Sequence, residues 1–181
     1  MRFCLVAFLG FLLASSVANA QTIERIEITN PGLYRIERGG VEDAPTTALG
    51  RFNVIKGQTL VERTTRIRGL LDVNMGMNFR IIGKPEGEPV AIRYVTRFPP
   101  RGLRDPAGKV HYTSEVERKH IIGEVLFRSY SFDEPWEIVE GIWTLEFWYR
   151  GRMLASQKFE VVKDEISADR ETGTAADTPS R

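Results

Sequence analysis

The stretch GIWTLEFWYRGRMLASQKFEVV, residues 141–162, carries a clear strand pattern. In its first half, large apolar residues recur at every second position: Trp143, Leu145, Phe147 and Tyr149. A period of two is typical of a β-strand that buries one face. Arg150-Gly151 is a turn signal, and a second strand-like segment follows it. The sequence therefore predicts a β-hairpin at this end of the domain.

The same alternation recurs upstream of this hairpin. Apolar residues share one predicted face in each of the segments MNFRIIG and VAIRYVTRF: Met77, Phe79, Ile81, Val90, Ile92, Tyr94 and Phe98. The segment SEVERKH, residues 114–120, is also predicted to be a strand. Turn signals separate runs of this kind: Asn30-Pro31-Gly32, Gly39-Gly40, Gly57-Gln58 and Pro85-Glu86-Gly87. About seven to nine strands predict an all-β domain, an antiparallel immunoglobulin-like β-sandwich. Closure into a barrel is the alternative, because periodicity does not distinguish the two.

The two ends of the chain differ from this body. Residues 1–20 have the pattern of a secretory signal peptide, with Arg2 before an apolar run and Ala18-Asn19-Ala20 as the cleavage signal. An uncleaved anchor is the weaker alternative, since a spanning helix needs about 20 apolar residues. Residues 21–164 then form the β-sandwich domain, and residues 165–181 form a disordered tail that is poor in apolar side chains. We expect a periplasmic or secreted protein without membrane insertion.

Composition argues against several classes of function. The only cysteine, Cys4, lies in the predicted signal peptide, so neither disulfides nor thiolate chemistry is expected in the exported chain. The 25 basic and 24 acidic residues nearly balance, which argues against a nucleic-acid partner. His111 and His120 lack the spacing of a metal site, and the sequence has no glycine-rich phosphate loop. We therefore expect no cofactor and no metal.

The segment FDEPWEIVEGIW, residues 132–143, precedes the hairpin and places aromatic residues among carboxylates. The favoured interpretation is architectural: Trp136 and Trp143 bury their rings and pin the loop to the end of the sandwich. Asp133 and Glu134, as loop carboxylates, are then expected to stay solvated. The alternative is a binding surface that stacks on a sugar or peptide, formed by Tyr130, Phe132, Asp133, Glu134 and Trp136.

A second candidate site lies in the segment RYVTRFPPRGLRDPAGKVHY, residues 93–112. Its proline pair ends a strand, because proline cannot donate to a β-ladder. The loop that follows carries Arg101, Arg104 and Asp105, and loop arginines can hold a carboxylate or phosphate by bidentate hydrogen bonds. The favoured interpretation is that Arg104 and Asp105 only stabilise the loop surface.

Taken together, GLYRIE, VTRFPPRGLRDP, SYSFDEPWE and GIWTLEFWYRGRMLASQKFEV resemble a family of small exported bacterial proteins that is catalogued only as a domain of unknown function. The resemblance covers the chain from about Ile23 to Val161. It implies a compact β-sandwich domain of Gram-negative bacteria, and it brings no catalytic residue and no ligand.

These observations predict a non-catalytic binding or interaction module for a protein or envelope component. The identity of the partner and the oligomeric state stay open. The alternative function is a hydrolase of envelope glycans that uses the loop carboxylates Asp105, Asp133 and Glu134. An enzyme of that kind needs its carboxylates to converge in one concave pocket, whereas a binding module does not.

Overall fold

The computed structural model of the protein describes residues 21–162. The predicted signal peptide and the predicted disordered tail lie outside the described residues. The strands are β1 (Thr22–Asp43), β2 (Arg51–Glu62), β3 (Arg66–Arg68), β4 (Asn74–Lys84), β5 (Pro89–Arg97), β6 (Leu103–Arg104), β7 (Val110–His111), β8 (Thr113–Ile121), β9 (Val125–Ser131), β10 (Gly141–Tyr149) and β11 (Arg152–Val162). One turn of 3₁₀ helix, Pro135–Glu137, lies between β9 and β10.

Two sheets pack face to face. The first has the strand order β2-β1-β4-β9, and the second has the order β3-β11-β10-β5-β8. The short strands β6 and β7 form a separate ribbon. Neighbouring strands run antiparallel, except that β3 runs parallel to β11. The prediction of an antiparallel β-sandwich is confirmed, and its two large sheets hold nine strands.

The core lies between these sheets and includes most of the residues that the alternation predicted. The predicted faces of β4, β5 and β10 are buried: Met77, Phe79, Ile81, Val90, Ile92, Tyr94, Trp143, Leu145 and Phe147. Aromatic rings join the two layers, since Phe79 of β4 and Phe147 of β10 have ring centroids 4.6 Å apart. Pairs of this kind add to the free energy gained from burial alone.

The C-terminal hairpin also forms as predicted. Tyr149 of β10 pairs with Arg152 of β11, so the turn between them has two residues. Arg150 and Gly151 both have positive φ values, 47° and 78°. Two left-handed residues in succession are what the favoured two-residue hairpin turn requires, because its twist then matches that of the strands.

Three of the predicted turns are wrong. Asn30-Pro31-Gly32 and Gly39-Gly40 lie inside the 22-residue strand β1, and Gly57-Gln58 lies inside β2. The pairing register shifts near these residues instead, for example between Thr29 and Gly32. Such shifts mark β-bulges, which bend a strand and use the same residue types as turns. Composition alone therefore could not separate a bulge from a chain reversal.

The bulges allow the end of the β1–β2 hairpin to reach the other sheet. We call residues 38–55 the arm: they comprise the last part of β1, the loop 44–50 and the first part of β2. The arm tip binds the edge strand β8, because Thr46 O accepts the Glu115 N–H at 3.2 Å and Ser114 Oγ accepts the Ala48 N–H at 3.1 Å. The arm thus spans the side of the sandwich on which β8 and β9 are edge strands.

Candidate functional site

The segment FDEPWEIVEGIW forms the corner between β9 and β10. Phe132 and Trp143 are both fully buried, and their ring centroids lie 5.4 Å apart. Trp143 Nε1 donates to Val139 O at 2.8 Å, while Trp136 is half-buried against the same core. Phe132 is therefore not accessible to a ligand at the surface. The geometry of the corner supports the architectural interpretation.

Glu137 holds this corner together, and sequence reasoning missed it. Its carboxylate is fully buried and accepts three hydrogen bonds: from Tyr130 Oη at 2.5 Å and from the backbone N–H groups of Asp133 and Glu134 at 2.9 and 2.8 Å. Burial raises the pKa of Glu137, and these hydrogen bonds oppose the rise. Glu137 accepts the N–H of the N-cap residue Glu134, as the third residue of a capping box does, and Pro135 at the start of the turn was the signal in the sequence.

Asp133 is not solvated, so that expectation was wrong. Its side chain is only 8% exposed and accepts hydrogen bonds from Arg38 at 2.5 Å and from Asn53 at 2.8 Å. Both donors belong to the arm, which covers the corner at this point. Glu134 behaves as expected, because its side chain is 43% exposed and lies 3.4 Å from Arg51. Asp133 therefore tethers the arm to the corner.

In the second candidate site, Arg104 and Asp105 form their hydrogen bonds within their own loop and with the short strand that follows it. Asp105 accepts the Lys109 N–H at 2.9 Å and lies 2.9 Å from His111 Nε2, and the hydrogen bond to His111 lowers the pKa of Asp105. Arg104 donates to Gly108 O at 2.8 Å, and Arg101 is exposed. The geometry of Arg104 and Asp105 supports the interpretation that they stabilise the loop surface.

A cavity of about 450 Å³ lies beneath the arm, between the edge strands β8 and β9. Of the site residues that the sequence predicted, Tyr130 and Asp133 line it. Asp105 and Glu134 do not, so the three carboxylates of the hydrolase hypothesis do not converge in this cavity. The arm, β5, β8 and β9 supply the other walls, including Phe52, Val54, Tyr94, Val116, Arg118, His120, Leu126 and Arg128.

Arg128 of β9 is a buried cation in the wall of the cavity. Its guanidinium donates to Glu146 O at 2.6 Å, to Val95 O at 3.0 Å and to Thr96 Oγ1 at 3.1 Å, so it connects the two sheets. It also lies 4.6 Å from the centre of the Tyr94 ring. Burial lowers the pKa of Arg128 to about 10, and the group therefore stays protonated at neutral pH.

A polar cluster on β5 and β8 faces the same cavity. Tyr94 Oη lies 2.5 Å from His120 Nε2, and burial lowers the pKa of His120 to about 4, so its ring is neutral at neutral pH. Arg118 pairs with Glu42 and stacks on the Phe52 ring at 3.8 Å. Within residues 21–162, Arg118 Nε is the only buried side-chain nitrogen or oxygen without a hydrogen-bond partner.

The sequence analysis did not identify Arg118 or Arg128 as site residues, although the pattern around Arg128 indicated an unusual position. Leu126, Arg128 and Tyr130 alternate along one face of β9, so a charged residue interrupts an inward apolar face.

In the part of the chain that the structure describes, no three His, Cys, Asp or Glu side chains lie close enough to hold a metal ion. The same range contains no helix with the length and hydropathy of a membrane span.

Comparison with solved structures agrees with the fold. An immunoglobulin-like protein from Pseudomonas aeruginosa is 24% identical, with a TM-score of 0.54, over 81% of this chain and 100% of that one. This likeness shows the fold alone. An alkylpurine DNA glycosylase from Pseudomonas fluorescens, bound to DNA with an abasic site analogue, has a TM-score of 0.35 at 12% identity, over 54% of this chain and 27% of that one. That similarity is too low to carry an argument.

No curated protein matches the chain in sequence. Residues 24–161 do match a protein family, and the match spans nearly all of the described domain. It confirms the resemblance seen in the proline-proline loop, the corner and the final hairpin. The chain belongs to the family described as a domain of unknown function (DUF3859), with an immunoglobulin-like fold.

Proposed function

We propose that this protein is an exported, non-catalytic binding module that takes an envelope component into the cavity beneath the arm. The observation that supports the proposal is the cavity itself. Protein interiors are close-packed and leave few voids larger than a water molecule. This sandwich keeps about 450 Å³ open between its edge strands, within the range of roughly 300–1,000 Å³ that is typical of ligand pockets.

The lining of the cavity favours binding over catalysis. Hydrolysis of a glycosidic bond needs two carboxyl groups at a set separation on either side of the bond. Of the three carboxylates of the hydrolase hypothesis only Asp133 lines the cavity, and its oxygens accept hydrogen bonds from the arm. The other carboxylate of the lining, Glu42, is paired with Arg118. The apolar walls and the arginines are suited to hold a ligand rather than to move a proton.

Export is the part of the proposal that rests on sequence alone. The pattern of Arg2, an apolar run and Ala18-Asn19-Ala20 supports cleavage after Ala20. Mass spectrometry of the periplasmic protein should therefore show a chain that begins at Gln21. Recovery of an intact chain beginning at Met1 in the inner membrane would contradict export with cleavage.

Native mass spectrometry of the protein isolated from periplasm tests the binding function. We expect a bound mass that is retained under native conditions and lost on denaturation. Val54→Trp should abolish it, because Val54 lines the cavity and the larger ring fills the space. Val41→Trp is the matched control: Val41 lies on the neighbouring strand of the arm, is 60% exposed and is not part of the lining.

Two results would contradict the proposed function. One is a wild-type protein that carries no bound mass. The other is an equal bound mass in the two tryptophan variants, since the ligand would then lie outside the cavity. Far-UV circular dichroism of both variants should match wild type, which shows that a lost mass reflects the filled cavity and not a lost fold.

A further inference from the structure

The charges around the cavity are unevenly compensated. Three arginines line it: Arg51, Arg118 and Arg128. Arg51 lies 3.4 Å from the carboxylate of Glu134, and Arg118 pairs with Glu42. By contrast, the guanidinium of Arg128 donates to two backbone carbonyls and one hydroxyl. Within residues 21–162, no carboxylate forms an ion pair with Arg128.

The charge of the Glu146 carboxylate acts on Arg128 and opposes the fall in its pKa, but Glu146 forms its ion pair with Arg97, and the hydrogen-bond acceptors of Arg128 are neutral. Of its five N–H groups, three are used by Glu146 O, Val95 O and Thr96 Oγ1. Opposite charges interact far more strongly in the interior than in water, because the surroundings screen them less. The positive charge of Arg128 is therefore a stabilising neighbour for a negative group that enters the cavity.

Arg118 supplies a second donor on the same wall. Its Nε is buried without an acceptor, and a buried donor that lacks a partner is costly. Burial raises the pKa of the Tyr94 hydroxyl, and the charges of Arg128 and Arg118 oppose that rise. Both arginines therefore lie near Tyr94. Two cationic donors thus lie around one point of the lining.

Apolar side chains form part of the remaining lining. Phe52 and Val54 of the arm, Val116 of β8 and Leu126 of β9 are half-buried side chains that line the cavity. We propose that the cavity takes an amphipathic anion, an apolar chain that ends in a carboxylate or phosphate group near Arg128. This inference rests on the proposed function, because it names the class of ligand for the same cavity.

Isothermal titration calorimetry of the wild-type protein with matched probes tests the ligand class. The probes are dodecanoate, dodecyl phosphate and 1-dodecanol, which share one chain, together with acetate and inorganic phosphate, which lack it. At least one of the two anionic chains should bind about tenfold or more tightly than the alcohol, because hydrogen bonds to charged groups are the stronger ones. Acetate and inorganic phosphate should not bind measurably. The preferred anion then distinguishes a fatty acid from a phosphate lipid.

Two arginine variants locate the anion. Arg128→Met removes the charge and should bring dodecanoate and dodecyl phosphate down to the affinity of 1-dodecanol. Arg101→Met is the matched control: Arg101 is exposed and does not line the cavity, so this variant should keep the wild-type preference. Loss of the preference in Arg101→Met instead would overturn the assignment to Arg128. If Arg128→Met does not fold, the comparison of the anionic chains with 1-dodecanol on the wild-type protein decides whether the ligand class is correct.

Failure of this inference can be told from failure of the proposed function. Equal binding of dodecanoate and 1-dodecanol, tight binding of acetate or phosphate alone, or no binding of either anionic chain would overturn the ligand class. The proposed function would survive each of these results if native mass spectrometry still shows a bound mass that Val54→Trp removes. It fails only if that mass is absent or independent of the cavity.

Discussion

Replacing Asp133 with alanine should destabilise the protein, whereas the same change at its neighbour Glu134 should not. The Asp133 carboxylate is 8% exposed and accepts hydrogen bonds from Arg38 and Asn53. Hydrogen bonds to charged groups contribute about 1.5–3 kcal/mol each. Arg38 is 42% exposed, so solvent screens its charge and its bond adds at most about 1 kcal/mol to the contribution of the bond from Asn53. We therefore expect a loss of about 2–3 kcal/mol for Asp133→Ala.

Glu134→Ala is the matched control, since its exposed ion pair contributes at most about 1 kcal/mol. Urea denaturation followed by far-UV circular dichroism measures both losses, with the slope checked for two-state behaviour. Hydrogen–deuterium exchange should also show faster exchange in the arm of Asp133→Ala, because its tether is gone. Equal stabilities of the two variants, with an unchanged arm, would refute the assignment of Asp133 as the tether.

Two further predictions concern the core and the cavity wall. Trp143→Ala should cost about 3–5 kcal/mol, because its ring is fully buried, while half-buried Trp136→Ala should cost roughly half of that. Equal costs in urea denaturation would contradict this ranking. Burial lowers the pKa of His120 to about 4, from 6.5 in the unfolded chain, so the unfolded state binds more protons between these values. Stability should therefore fall as pH drops from 6.5 to 4, and a His120→Gln variant with the same pH slope as wild type would contradict the assignment.

The strand faces were predictable because they depend on local alternation. Phe79 and Phe147 lie far apart in the chain, yet each was assigned to the core from its own strand, and they meet between the sheets. The hairpin turn was equally local, since Arg150-Gly151 carries its own conformational preference. Features that a window of a few residues determines were thus accessible from the sequence.

The arm and its cavity were not accessible in this way. Gly39-Gly40 reads as a turn, and only the pairing of β1 with β2 shows that the strand continues through it. The tether between Arg38 and Asp133 joins residues that are 95 positions apart, so neither residue carries a local sign of the other. Once the arm covers the corner, Asp133 is buried. Long-range packing therefore decided which of the loop carboxylates stays solvated.

We propose that the space beneath the arm is a ligand site, and a crystal structure of the protein with dodecanoate or dodecyl phosphate, whichever binds more tightly, tests this. We expect an apolar chain between the arm, β8 and β9, with the anionic group within hydrogen-bond distance of the Arg128 guanidinium. A structure in which the arm closes onto β9 and leaves no space, or in which the anionic chain binds outside the sandwich, would contradict this proposal.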